Sequence, residues 1–147
     1  MRERIRGIVA HYTKKYNTRD PFILATNLNI EVQICDMGHR SGCYMFLKNH
    51  RCIFLNENLS RSEKDLVMAH ELGHAIMHRK QNCYFIRNKT LLLNSKTEKE
   101  ANIFAAELLI EDELIMEHQD FTIEQFARLT GYAEKLIELR LKNNFNI

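Results

Sequence analysis

One proline and five glycines in 147 residues leave little material for repeated tight turns. Collagen-like, linker-rich and many-stranded all-β architectures are thereby disfavoured. No stretch approaches the roughly 18 consecutive apolar residues that a membrane-spanning helix needs. The N-terminus, MRERIRGIVAHYTKKY, has charges on both sides of a short apolar patch and lacks a signal-peptide core and cleavage site. A cytoplasmic location with reduced thiols is expected. The four cysteines, Cys35, Cys43, Cys52 and Cys83, include no C-x-x-C pair, so they are expected as free thiols rather than zinc ligands. A net charge of +2 is too small to imply nucleic-acid binding by itself.

What is present is ordinary globular material, with 45% hydrophobic and 27% charged residues. That suits one domain spanning residues 1–147. Ile5, Ile8, Val9, Tyr12 and Tyr16 recur at helical spacing. Asp20 before Pro21 is an N-cap followed by a first-turn proline, and it opens a short helix. Ile30, Val32 and Ile34 alternate with Glu31 and Gln33, as in a half-buried strand. The apolar runs Cys43–Leu47 and Cys52–Leu55 flank Asn49 and His50 and predict a hairpin. Residues 1–60 thus read as helices plus a small antiparallel sheet.

Beyond residue 60 the pattern is helical. Ser62 and Asp65 have capping-box spacing before a helix expected to reach about Arg79. Leu66, Val67, Met68, Ala69, Leu72, Ala75, Ile76 and Met77 make that helix apolar on nearly every side, so it should be buried. Residues 81–96 show no clear period and read as a loop. Thr97 is the expected cap of a helix running to about Leu109. Two further helices are expected near 123–129 and 133–142, joined by Thr130-Gly131-Tyr132. The regions 61–110 and 111–147 complete an α+β fold, a small antiparallel sheet packed on a mainly helical body.

The buried helix carries His70-Glu71-Leu72-Gly73-His74, an H-E-x-x-H pattern. Residues four apart are one turn apart and about 40° around the axis, so both imidazoles can reach one ion. Two histidines buried in an apolar helix need partners for their nitrogens, and a zinc ion supplies them. Glu71 lies about 100° around from His70 and is placed instead to take a proton from water as a general base. His78 is a further turn away. It is too far from His70 to share one ion with both His70 and His74, and it reads as a helix-end residue favoured by the dipole. Catalytic zinc usually has three protein ligands. A glutamate on the next helix, Thr97 to Leu109, is the best source of the third, and Asn102 could orient a ligand from behind. Tyr44 and Tyr84 are possible oxyanion partners that read more readily as packing residues.

These motifs resemble the ImmA/IrrE family of zinc metallopeptidases. The likeness rests on HELGH at His70–His74, His78 after it, and EKEANIFAAELL from Glu98 to Leu109. Arg51-Cys-Ile-Phe-Leu-Asn56 fits the front part of that family, so the likeness spans most of the chain. Its usual proline after the second motif is missing; this chain reads Ile110-Glu111 there. The resemblance implies a zincin-like active-site helix and one zinc per chain. It also implies a cytosolic endopeptidase of phages or mobile elements that cleaves a helix-turn-helix repressor and so relieves repression. A non-cleaving, metal-containing anti-repressor is one alternative. A DNA-binding regulator acting through residues 122–142 is another, made poor by Glu134 and Glu138 and the lack of a basic cluster. A packed helical pair near the substrate cleft is the favoured reading of that stretch.

The second motif contains both Glu98 and Glu100. At about 100° per residue, Glu98 shares a face with Asn102, Ala105 and Leu109. Glu100 falls with Glu107 and Glu111 on a face expected to be acidic and solvated. Glu98 is therefore the expected third metal ligand with His70 and His74, and replacing Glu100 is expected to change little.

Overall fold

The computed structural model describes residues 1–86 and 95–145, of which 83–86 and 143–145 are described by backbone alone. The described residues form α1 (Arg2–Tyr16), α2 (Pro21–Asn27), β1 (Glu31–Cys35), β2 (Arg40–Leu47), β3 (His50–Asn56), α3 (Arg61–Met77), β4 (Cys83–Ile86), α4 (Lys96–Leu109), α5 (Asp112–Glu117), α6 (Ile123–Thr130) and α7 (Glu134–Phe145). The fold is α+β, as expected. The sheet has the order β1-β3-β2-β4.

The hairpin forms as its apolar runs predict. Lys48 and Asn49 at its tip have φ of 47° and 68°, two positive values that match the right-handed twist of the strands. The sheet is mixed, however, not purely antiparallel. β2 pairs antiparallel with both β3 and β4, while β1 runs parallel to β3, Glu31 opposite Cys52 and Ile34 opposite Leu55. The reason lies in residues 36–39, which carry the chain across the end of β3. Asn56 fastens that crossing: its Nδ2 donates to the carbonyls of Gly38 and Arg40 at 3.0 and 2.8 Å. The backbone N–H of Glu57 donates to Cys35 at 2.9 Å. β1 is consequently an edge strand; Val32 is half-buried and Ile34 stays exposed.

β4 falls inside the segment expected to be a loop. Four residues without alternation carry no strand signal, and pairing with β2 supplies the missing order. Residues 87–94 of that expected loop, and the Tyr84 side chain, lie outside the described residues. Three helix starts also differ. Ser60, not Ser62, caps α3 by accepting from Glu63 N–H at 3.3 Å. Ser95, not Thr97, caps α4 in the same way. The short α5 follows α4 almost at once, where no helix was expected.

α3 lies between the sheet and α4, and two glycines allow the approach. A Cβ on Gly42 of β2 would lie 2.6 Å from Val67 Cγ1 and 2.9 Å from the Phe54 carbonyl. A Cβ on Gly73 of α3 would meet Phe104 of α4 at 3.1 Å. Val67, Met68, Leu72, Ile103, Phe104 and Leu108 join Ile5, Leu24, Tyr44, Ile53 and Leu55 in the main apolar cluster. Ala106, Ile110, Phe126, Leu136 and Ile137 form a second, where α6 and α7 meet α4. Leu66, Leu109 and Leu139 touch both clusters. α6 begins on a capping box, Thr122 with Gln125, and ends on Gly131 at φ 78°. This helical pair docks through Ala106 and Ile110, about 12 to 18 Å along α4 from Glu98.

Candidate metal centre

Burying α3 between the sheet and α4 takes His70, Glu71 and His74 out of water; each is at most 1% exposed. Glu98 on the first turn of α4 faces them. His70 Nε2 lies 3.0 Å from Glu98 Oε2, and His74 Nε2 lies 3.0 Å from Glu98 Oε1. The two Nε2 atoms are 3.1 Å apart. Among the described residues, His70, His74 and Glu98 form a group whose ligand atoms could hold one metal ion.

The donor set fits zinc. Bond lengths of about 2.0–2.2 Å in a tetrahedral arrangement put ligand atoms roughly 3.3–3.6 Å apart. The two imidazole nitrogens are 3.1 Å apart and each lies 3.0 Å from a different Glu98 oxygen, a cluster slightly tighter than that and able to close on one ion. Two imidazoles and one carboxylate leave a fourth position for a water or a substrate oxygen. Burial acts to raise the Glu98 carboxyl, but the hydrogen bonds and charge of His70 and His74 outweigh it and hold the group at about 2. Glu98 is therefore ionised across the neutral range, the form a metal ligand needs.

Glu71 stands outside the group of ligand atoms, as its angle on the helix requires. It is fully buried and within electrostatic reach of β2. Burial first, and then the Glu71 charge, push the Cys43 thiol up to about 11. Cys35, Cys43 and Cys52 are free thiols, as expected. Asn102 is buried one turn beyond Glu98. Tyr44 is fully buried, and its hydroxyl donates to the Arg79 carbonyl just after α3.

Glu100 is not on a solvated face. It is 4% exposed, and Glu107 on the same side is 5% exposed. The helical wheel identifies one inward face, but α4 is packed by α3, α1 and α7. α1 brings Arg4 into an ion pair with Glu100. Arg6 and Arg140 lie 3.5 and 3.8 Å from Glu107. The three arginines in the first six residues were the available signal, and only the tertiary packing shows what they meet.

His78 is the C-cap of α3, at the helix end as expected, yet a charge on the dipole is not its role. Its Nδ1 lies 2.9 Å from His74 Nδ1, and its Nε2 lies 3.4 Å from Glu100 Oε1. Burial and the neighbouring His74 lower it to about 4, so the ring is neutral near pH 7.

Comparison with known proteins places this geometry in a lineage. The family model described as the IrrE N-terminal-like domain, Peptidase_M78, matches residues 25–142. The chain belongs to this peptidase family. It is 36% identical over 139 residues to a protein of Bacillus phage phi105 named uncharacterized immunity region protein 2, covering 92% of this chain and 88% of that one. It is 30% identical over 129 residues to the metallopeptidase ImmA of Bacillus subtilis strain 168, covering 84% of this chain and 75% of that one. A metallopeptidase family implies a metal, and the His-His-Glu group is where this chain could bind one. Among the described residues, no helix is long and apolar enough to cross a membrane.

Proposed function

We propose that this chain is a zinc-dependent endopeptidase, one catalytic domain, acting on a protein substrate in the cytoplasm. The observation that carries the reading is the convergence of His70 Nε2, His74 Nε2 and the Glu98 carboxylate at edges of 3.0–3.1 Å. His70, His74 and Glu98 hold one zinc ion. When bound, the ion polarises the scissile carbonyl and acidifies a water molecule. Glu71 accepts the water's proton on a carboxylate oxygen and delivers it to the nitrogen of the leaving amine. Its burial beside the sheet keeps competing water away from that oxygen. An extended substrate adds to an edge of the sheet, where backbone groups offer a strand-like template.

The substrate we infer is a helix-turn-helix repressor of a phage or mobile element, whose cleavage relieves repression. The immunity-region name of the phi105 relative and the metallopeptidase name of the B. subtilis one support this reading. Direct nucleic-acid binding fits the C-terminal helices poorly. Arg128 pairs with Glu124, Lys135 pairs with Glu138, and Leu136, Ile137 and Arg140 of α7 are buried.

The test is incubation of the purified protein and its Glu71→Gln variant with candidate helix-turn-helix repressors of phages or mobile elements. Wild type should cut the repressor, while the variant keeps about one zinc per chain by elemental analysis and cuts nothing. Undiminished cleavage by the variant sinks the mechanism. A stable complex without cleavage by wild type would assign the non-cleaving anti-repressor role instead.

A further inference from the structure

The side of His74 away from Glu98 is as ordered as the ligand side. His74 Nδ1 faces His78 Nδ1 at 2.9 Å. His78 Nε2 faces Glu100 Oε1 at 3.4 Å, and the other oxygen of Glu100 pairs with Arg4. The His78 and Glu100 side chains are 8% and 5% exposed, so water does not easily replace either partner. The row joins three elements: the end of α3, the first turns of α4, and α1.

The protons in this row follow from one condition. If His74 presents Nε2 to an ion, its single ring proton sits on Nδ1. That N–H must then donate to His78 Nδ1, since two facing nitrogens need one proton between them. His78 therefore carries its own proton on Nε2, which points at the Glu100 carboxylate. Each donor meets an acceptor, and Arg4 balances the charge at the end. The opposite order would place a proton on His74 Nε2, where the ion belongs.

We propose that His78, itself held by Glu100 and Arg4, is a positioning residue that fixes His74 in the tautomer and ring orientation able to bind metal. This rests on the reading of His74 as a ligand. The arrangement has the form of the outer hydrogen-bond partners that orient metal-bound histidines and raise their basicity. Neither Glu100 nor Arg4 lies near enough in sequence to suggest such a role, and a helical wheel alone places Glu100 on the face opposite Glu98.

The experiment uses cobalt as a visible probe for the site. Metal-free protein is titrated with Co2+ in the presence of a competing chelator, and its visible absorption and metal-free melting temperature are recorded. Wild type should bind one cobalt, and His74→Ala should abolish the band. His78→Phe keeps a ring of similar size but has no acceptor. It should weaken cobalt binding about 10- to 100-fold and alter the band, while the metal-free melting temperature changes little. His78→Asn offers an amide oxygen near the position of Nδ1 and should recover most of the affinity. Affinity in His78→Phe within twofold of wild type overturns the proposal, as does an Asn variant no better than Phe. Should His78→Phe not fold, Glu100→Met, which removes the acceptor facing His78 Nε2, is read the same way: weaker binding with a changed band supports the relay, and no change overturns it. A wild type that takes up no cobalt removes the metal site itself, and this proposal with it.

Discussion

Gly73 packs against Phe104 so closely that a methyl group on its α carbon would lie 3.1 Å from Cβ, Cγ and Cδ1 of that side chain. This contact sets the separation of α3 and α4, and hence the distance from His70 and His74 to Glu98. Gly73→Ala is expected to weaken zinc binding as Phe104 gives way, with overpacking of about 1–3 kcal/mol partly offset by about 0.5–1 kcal/mol of helix propensity. Gly7 in α1 is the control, because a Cβ there meets nothing within 4 Å. Gly7→Ala should raise stability by about 0.5–1 kcal/mol. Urea titration of both variants checks the opposite signs.

Glu98→Ala should remove the metal from the purified protein while leaving His70 and His74 in place. Metal-free melting temperatures of wild type and variant should lie close together, since the lost carboxylate is a half-buried charge whose desolvation offsets its pairing with the histidines. Added zinc should raise the wild-type melting temperature and leave that of the variant unmoved. Equal stabilisation by zinc in both proteins would remove Glu98 from the ligand set.

Much of this centre is legible in the sequence, for a local reason. The i, i+4 spacing of His70 and His74 fixes their common direction on any helix, and Asn102, Ala105 and Leu109 mark the face of α4 that carries Glu98 inward. What was not legible depends on partners distant in the chain. Glu100 and Glu107 look solvated until α1 and α7 bring arginines to them. β1 pairs with β3 because a side chain, Asn56, secures a crossing that no periodicity encodes. β4 is too short to show a period of its own.

The guanidinium of Arg140 is buried, with Nε donating to the Ile110 carbonyl at 2.7 Å and a pairing to Asp112. Burial acts to raise the Asp112 carboxyl, but the hydrogen bond and charge of Arg140 outweigh it and lower the group below its ordinary value of 3.8. A carboxyl lowered in the native state stabilises the fold above that ordinary value. The contribution is lost as the pH falls through the lowered one. Asp112→Asn should therefore be less stable than wild type at pH 6, with the gap closing toward pH 2. Thermal melts across that range give the measurement. Arg140→Met should cost about 1–3 kcal/mol at neutral pH, because the Ile110 carbonyl loses its buried donor and Glu107 keeps only the part-exposed Arg6.

Lys48 and Asn49 hold positive φ at the hairpin tip with ordinary side chains. The paired substitution K48N/N49G gives each position the residue that tolerates this conformation best. A gain of up to about 1 kcal/mol is expected in chemical denaturation, as relief of the left-handed backbone outweighs the added chain entropy of glycine, with metal affinity unchanged.

Leu66 of α3, Leu109 at the end of α4 and Leu139 of α7 belong to both apolar clusters. They are a seam, and a seam leaves no free surface along which the two halves could part. Opening the C-terminal helices would strip all three leucines and one flank of α4, loosening the helix that carries Glu98. Heat or denaturant should therefore melt the chain in a single cooperative step, and the slowest-exchanging amides of α3 and α7 should report the same opening energy.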